Sequence, residues 1–229
     1  IVGPDSTPPN LTMKNPIWMG ANAFFRFNST DNNAGFLKNC TLYLNGAFWE
    51  TKYNLLIGFT FDFSAFGLSE GMGQNATLNC SDQRNNTGTG SWAFNIDLTA
   101  PQIEILAPLN GSIVYIPRPE FLLNISDNMA TTFSYVVYVD GLTHSRGSGI
   151  PAGSNSLITI GPVSSGQHIF IVEVSDLAGN KKNSTPLHLN ISDSLVYLLD
   201  PPEGNRTYSQ NPSFSFIFQD SKYDGATCS

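Results

Sequence analysis

The stretch FNIDLTAPQIEILAP, residues Phe94 to Pro108, decides how this chain is organised. A copy of its Asp-x-x-x-Pro core begins at Asp5, which lies 92 residues before Asp97. A looser copy, NISDSLVYLLDP, begins at Asn190 and repeats the Asn-Ile pair found 95 residues earlier. A period of about 93 residues predicts tandem modules.

Between these copies the sequence pattern is β. Short runs alternate apolar and polar residues and are bounded by Gly, Pro, Asn and Asp, which is typical of strands and turns. The Asn45-Gly46 pair is a tight-hairpin signal, because both residues tolerate positive φ. The strands expected in the first repeat are Leu11–Met13, Ala23–Asn28, Cys40–Leu44, one or two strands within Asn54–Phe63, Ala76–Cys80 and Trp92–Ile96.

The second repeat matches the first element by element, so that Phe121–Ile125 parallels the Ala23 strand and Tyr138–Gly141 parallels Tyr43–Gly46. About seven short strands in some 93 residues predict an immunoglobulin-like β-sandwich. We therefore predict an all-β chain with domains at 1–97 and 98–192 and an incomplete third domain at 193–229. The incomplete domain indicates a piece of a longer chain or, alternatively, strands that a neighbouring subunit completes.

The three cysteines follow the repeat register. Cys40 and Cys80 fall on strands that neighbour each other in this topology, and the matching positions Tyr135 and Val174 lack cysteine together, as a bonded pair would. We predict a Cys40–Cys80 disulfide, with free thiols as the alternative. Cys228 aligns with Cys40, so it is unpaired or bonded to a residue outside this sequence.

Composition excludes several classes of protein. Only 13% of the residues are charged and the net charge is -7, which argues against nucleic acid as a partner. No apolar run is long enough to span a membrane.

N-glycosylation sequons are unusually frequent. Eleven of the 23 asparagines lie in Asn-x-Ser/Thr, where chance would give about four. Crowding of Asn, Ser and Thr into turns explains part of this excess. We predict an extracellular glycoprotein of the cell surface, in which covalent glycans supply the hydration that charges do not. The acceptor asparagines are Asn10, Asn28, Asn39, Asn75, Asn79, Asn85, Asn110, Asn124, Asn183, Asn190 and Asn205.

Templates for catalysis and cofactor binding do not match this sequence. It contains no nucleophile elbow and no Gly-rich phosphate loop, so we expect no enzyme and no cofactor. The histidines are His144, His168 and His188, and we expect the last two to be solvent-facing strand residues, with a shared metal site as the alternative.

Calcium is the alternative to a metal-free protein. Aspartates recur at the seams and in loops, where oxygen ligands could stiffen an array, although Asp also favours turns and no three lie close in sequence. These residues are Asp5, Asp97 and Asp193 at the seams and Asp31, Asp82, Asp127 and Asp176 in the loops.

Aromatic residues could form a binding surface in the first repeat. Trp18, Trp49 and Trp92 are expected to pack in the fold, with a sugar platform as the alternative. The group Phe59, Phe61, Phe63 and Phe66 would be a subunit contact if it does not face the core.

The segment VEVSDLAGN, Val172 to Asn180, resembles the V-x-V-x-D-x-A-G-N signature of bacterial and archaeal Ig-like repeats. The seam from Asp97 to Ser112 resembles the same family. The resemblance covers essentially the whole chain and implies modules similar to those of S-layer proteins, adhesins, surface filaments and spacers of secreted enzymes. The first repeat departs from the signature after Cys80, where SDQRNNTG follows, so the turn geometry is not expected to carry over.

These patterns predict an extracellular structural protein of a glycosylated surface layer, stalk or filament. Its partners would be copies of itself or neighbouring surface subunits. The alternative is an adhesin, or the spacer region of a larger secreted binding protein or hydrolase.

Overall fold

The computed structural model describes residues 5–14, 18–32, 35–153 and 155–192, and the backbone alone of 195–200, 215–220 and 223–228. Every regular element in this part of the chain is a β-strand. The all-β prediction is confirmed, and the described residues include no helix able to span a membrane.

The chain divides into two compact units. The first contains Ile1–Ala100, Asn128–Ala130 and Ser175–Asn180, and the second contains Pro101–Asp127, Thr131–Val174 and Lys181–Ser229. The domain boundaries drawn from the repeat stay predictions.

The first unit is a sandwich of two sheets. Its strands are β1 (Asn10–Met13), β2 (Trp18–Met19), β3 (Ala23–Thr30), β4 (Phe36–Leu44), β5 (Ala47–Leu56), β6 (Thr60–Ala65), β7 (Gly71–Asp82) and β8 (Thr87–Ile96). One sheet has the order β1-β3-β6, and the other has the order β2-β8-β7-β4-β5. Strand β2 runs parallel to β8, and the other pairs are antiparallel.

Strict alternation along β3 shows why the sandwich forms. Phe25 and Phe27 are fully buried, whereas Phe24, which lies between buried Ala23 and Phe25, is 54% exposed. The Phe25 ring meets Phe94 of β8 edge to face, with ring centroids 5.1 Å apart. Alternate residues of a strand point to opposite faces, so a single pairing register places all the residues of one face in the core.

Side chains protect one edge of the first unit. Strand β6 pairs with β3 on one side, and on its other side the Trp49 indole N–H donates to the Ser64 carbonyl at 3.0 Å. The Lys52 ammonium donates to the Asp62 carbonyl at 2.7 Å and lies 5.2 Å from the Phe63 ring centroid. Capped carbonyls are poorer templates for another strand.

The second unit repeats the two-sheet arrangement. Its strands are β9 (Gln102–Ala107), β10 (Ile113–Val114), β11 (Glu120–Ser126), β12 (Thr132–Val139), β13 (Leu142–Pro151), β14 (Ser156–Thr159), β15 (Gly166–Ser175), β16 (Lys181–Asn183) and β17 (Leu187–Ile191). They form the sheets β14-β11-β9 and β10-β17-β15-β12-β13, with β16 beside β15. Buried Phe121 and Phe170 meet in its core at 5.4 Å.

A third sheet follows in the chain. It has the order β18-β19-β20, from β18 (Leu195–Asp200), β19 (Ser215–Asp220) and β20 (Tyr223–Cys228). Asp193 lies outside the described residues.

Two predicted hairpin turns are confirmed. Asn45 and Gly46 have φ of 51° and 80°, and Asp140 and Gly141 have φ of 50° and 82°. The region Asn54–Phe63 is two strands, because a turn containing Gly58 at φ 84° separates β5 from β6.

Candidate functional site

Three aspartates meet at one end of the first unit. Asp5 precedes β1, Asp31 follows β3 and Asp82 ends β7, and one carboxylate oxygen of each lies within 4.8 Å of the others. We call these residues the aspartate cluster. No three of these aspartates lie close in sequence, and the fold brings them together from distant segments. Beside the cluster is a cavity of about 340 Å³, whose lining includes Phe36 and Ile57.

Hydrogen bonds to the turn after β7 hold the carboxylate of Asp82, one member of the aspartate cluster. Asp82 is 4% exposed, and its Oδ1 accepts the N–H groups of Arg84 and Asn86 at 2.8 and 2.9 Å. Its Oδ2 accepts from the Asn86 side-chain amide at 2.7 Å. That amide also donates to the carbonyl of Asp5 at 3.3 Å. Asp82 therefore caps the turn and helps tie it to the segment before β1.

Three of these four hydrogen bonds recur 94 residues later in the chain. Asp176 accepts the N–H and the side-chain amide of Asn180, each at 2.9 Å, and that amide donates to the Asp97 carbonyl at 3.0 Å. Asn85, at φ 68°, takes the place of Gly179, at φ 91°. The resemblance did not extend to this turn of the first repeat, and the structure shows that the shared Asp-x-x-x-Asn spacing preserves these contacts.

The aspartate cluster has the chemistry of a calcium site. Calcium prefers oxygen ligands at 2.3–2.6 Å, so two oxygens on one ion lie at most about 5 Å apart, which the three carboxylates satisfy. In the repeat register, Asp97, Asp127 and Asp176 are the counterparts of Asp5, Asp31 and Asp82. The prediction of a metal-free protein stays untested, and these carboxylates are the candidate ligands of the calcium alternative.

The histidines do not form the joint metal site considered above. His168 and His188 lie on the paired strands β15 and β17, but His168 aligns with Leu189 whereas His188 aligns with Ile169. Their side chains therefore point to opposite faces of the sheet. The prediction that His168 is solvent-facing was wrong, because its side chain is only 13% exposed.

His168 binds the hairpin turn between β12 and β13. Its Nδ1 lies 2.7 Å from Asp140 Oδ2, and its Nε2 lies 3.0 Å from the Ser164 carbonyl oxygen. Asp140 Oδ1 accepts the Ile169 N–H at 2.8 Å. The Ile169 N–H and then the His168 ring lower the pKa of Asp140, since both stabilise the carboxylate.

The disulfide predicted between Cys40 and Cys80 is present, with both residues fully buried. It joins neighbouring strands of one sheet, at the point where the two residues align in register. Cys228 lies on β20, and its side chain is outside the described residues.

The described sequon asparagines are exposed or half-buried. None of the ten is buried, and Asn205 lies outside the described residues. The exposed ones are Asn10, Asn75, Asn85, Asn110, Asn124 and Asn183, and the half-buried ones are Asn28, Asn39, Asn79 and Asn190.

Several of the tryptophans and phenylalanines considered as a binding surface instead make contacts within the fold. The ring centroids of Trp92 and Phe27 are 5.2 Å apart, and the Trp49 N–H donates a hydrogen bond to the Ser64 carbonyl on β6. These contacts within the fold disfavour a sugar-binding platform of tryptophans. The phenylalanine group is split, because Phe63 is buried whereas Phe59 is 63% exposed. The group is therefore not one continuous contact surface.

Comparison with known proteins agrees on the fold. No protein-family model and no curated protein matches the chain. The fibronectin(III)-like modules of Clostridium thermocellum CbhA are similar to it, with a TM-score of 0.53 and 13% identity over 80% of this chain and 93% of theirs. An I-band fragment of titin matches with a TM-score of 0.38 and 14% identity, covering 97% of this chain and 96% of the fragment. Murine CEACAM1b matches with a TM-score of 0.38 and 13% identity, covering 80% and 100%. The first of these matches and the two-sheet arrangement of each unit show that the chain has a β-sandwich fold like that of fibronectin(III)-like modules.

Proposed function

We propose that this chain is an extracellular structural protein whose Ig-like modules form part of a glycosylated surface layer, stalk or filament. The observation that carries the proposal is the placement of the sequons. Of the ten described acceptor asparagines, six are exposed and four are half-buried, while the disulfide lies in the core. Disulfides persist in oxidising compartments outside the cytosol.

The surface chemistry supports glycosylation. Large apolar side chains are exposed in both units, for example Phe48 at 65% and Leu142 at 75%, and few charged residues are available to hydrate the protein between them. Attached glycans would supply that hydration and would limit non-specific contact between copies.

The mechanical role follows from the architecture. Two sandwich cores and one buried disulfide resist unfolding, and the capped edge of β6 disfavours pairing with another strand at that edge. Assembly contacts with copies of the chain or with neighbouring subunits would therefore use other surfaces. The second candidate is an adhesin, or the spacer of a larger secreted binding protein or hydrolase.

Electron microscopy of the native material tests the proposal. Regular filaments or a lattice, with a repeat that matches two to three Ig-like modules, would support assembly. Isolated flexible rods would favour the spacer alternative. The mass of the native protein before and after enzymatic deglycosylation tests the glycoprotein part separately, and identical masses would overturn it.

A further inference from the structure

The outer face of the five-stranded sheet in the first unit is a polar surface built in rows. One row crosses four strands through Tyr53, Asn39, Ser81 and Thr87. The next row crosses the same strands through Thr51, Thr41, Asn79 and Thr89. Hydroxyl pairs join neighbours along the rows, for example Thr41 and Thr51 at 2.8 Å.

Two sequons meet on this face. They are Asn39-Cys40-Thr41 and Asn79-Cys80-Ser81, and their central cysteines form the buried disulfide. The register therefore makes the two acceptor asparagines diagonal neighbours, about 7–8 Å apart. Two sugar chains attached at that separation would crowd each other, so we expect one of the two asparagines to carry a glycan.

The surroundings of the two asparagines differ. Asn79 lies on β7, the middle strand of the sheet, between Thr41 and Thr89. Its amide oxygen is buried and accepts no hydrogen bond among the described residues. A glycan attaches through the amide nitrogen, and on Asn79 it would leave the sheet at its middle strand, flanked by Thr41 and Thr89.

Asn39 has an aromatic neighbour. It aligns directly with Tyr53 of the edge strand β5, and Tyr53 is 66% exposed. Residues aligned across antiparallel strands bring their Cβ atoms to about 4.5–5.5 Å. An apolar ring at that distance can receive the C–H face of a sugar attached to Asn39, which would remove apolar surface from water.

We propose that Asn39 carries an N-glycan whose first sugar packs on the Tyr53 ring, and that Asn79 stays unmodified. This inference rests on the proposed extracellular glycoprotein and names the residue pair that the modification would use.

Glycopeptide mapping of the native protein tests the choice of site. We expect the occupancy of Asn39 to exceed that of Asn79 at least tenfold. Three results would overturn this inference and leave the glycoprotein proposal intact: a glycan on Asn79 alone, glycans on both residues, or glycans on other sequons but on neither of these two. The absence of glycan from every sequon would overturn both.

A double-mutant cycle tests the role of Tyr53. The full chain is secreted from a glycosylating host as the wild type, Tyr53→Ala, Asn39→Gln and the double variant. We expect Tyr53→Ala to lower the thermal midpoint by several degrees more in the glycosylated background than in the Asn39→Gln background. Asn79→Gln is the matched control and should remove no glycan mass from the protein. Equal effects of Tyr53→Ala in the two backgrounds would overturn the packing of the sugar on the ring.

Discussion

Cys40 and Cys80 lie directly opposite each other on β4 and β7, and their disulfide is fully buried in the first unit. The bond lies within one sheet, so it fixes the register of two neighbouring strands. It also closes a loop of the chain that contains β5 and β6.

Replacing both cysteines should lower the stability of the first unit. Because the bond spans a sequence separation of 40, the chain-entropy model predicts a loss of about 4 kcal/mol in the free energy of unfolding. Urea unfolding of Cys40→Ala/Cys80→Ala, with Cys228→Ser in every sample, measures the loss. A reducing agent should destabilise the parent protein and leave the double variant unchanged. A loss below about 1 kcal/mol would contradict the prediction.

The alternation along β3 predicts opposite outcomes for adjacent residues. Phe25→Ala removes a fully buried ring and should cost about 3–5 kcal/mol of unfolding free energy. Phe24→Ala removes an exposed ring from the other face and should change stability by about 0.5 kcal/mol or less. Chemical denaturation of the two variants gives the comparison. Similar losses would show that β3 does not hold this register.

Asp140 should make the second unit sensitive to acid. Its pKa is lowered from the ordinary value of 3.8, first by the Ile169 N–H and then by His168. A carboxylate with a lowered folded pKa contributes stability above its unfolded pKa, and that contribution disappears as the pH falls through the folded pKa. The stability difference between wild type and Asp140→Asn should therefore shrink below about pH 4. A difference that stays constant from pH 6 to pH 2.5 would contradict this mechanism.

The turn after β7 should depend on the positive φ of Asn85. Asn85→Gly keeps this conformation accessible, whereas Asn85→Ala strains it and should cost about 1 kcal/mol more. Both variants lose the bond from Lys38 to the Asn85 side chain, so their difference isolates the backbone effect. Thermal unfolding compares them. Gly179→Ala gives the same test in the second repeat, and equal stability of the glycine and alanine variants would refute the assignment.

Calcium should raise the thermal midpoint of the wild-type chain if the aspartate cluster binds it. An ion that binds only the folded state stabilises that state by mass action. Asp31→Asn should abolish the shift, because it removes one ligand charge. Asp62→Asn is the matched control, because Asp62 pairs with Arg26 on the surface at 2.9 Å and should leave the calcium effect intact. A midpoint independent of calcium would leave the cluster as a set of turn caps.

Local patterns predicted most of the fold. The alternation around Phe25 and the Asn45-Gly46 turn each reflect interactions that a few neighbouring residues determine, whereas the Cys40–Cys80 pair was predicted by comparing the two repeats. The boundary between β5 and β6 was less clear, because Asn54–Phe63 is apolar on both sides of Gly58.

The candidate site was harder to predict because its members come from distant segments. Asp5, Asp31 and Asp82 have no local motif, and only the sandwich topology brings them together. His168 was assigned to the wrong environment, since periodicity gave its strand but not its contact with the Asp140 turn. The spacing shared by Asp82-x-x-x-Asn86 and Asp176-x-x-x-Asn180 was the available signal for the common turn geometry.

The turn shared by the two repeats accepts either asparagine or glycine at its positive-φ position. Asn85 in the first repeat begins the sequon Asn85-Asn86-Thr87, whereas Gly179 in the second cannot accept a glycan. One backbone conformation therefore serves two surface chemistries. Exchange at this position would let a repeat array gain or lose a sugar attachment point at a fixed place while every strand keeps its register, so that the surface of such a protein can diversify faster than its core.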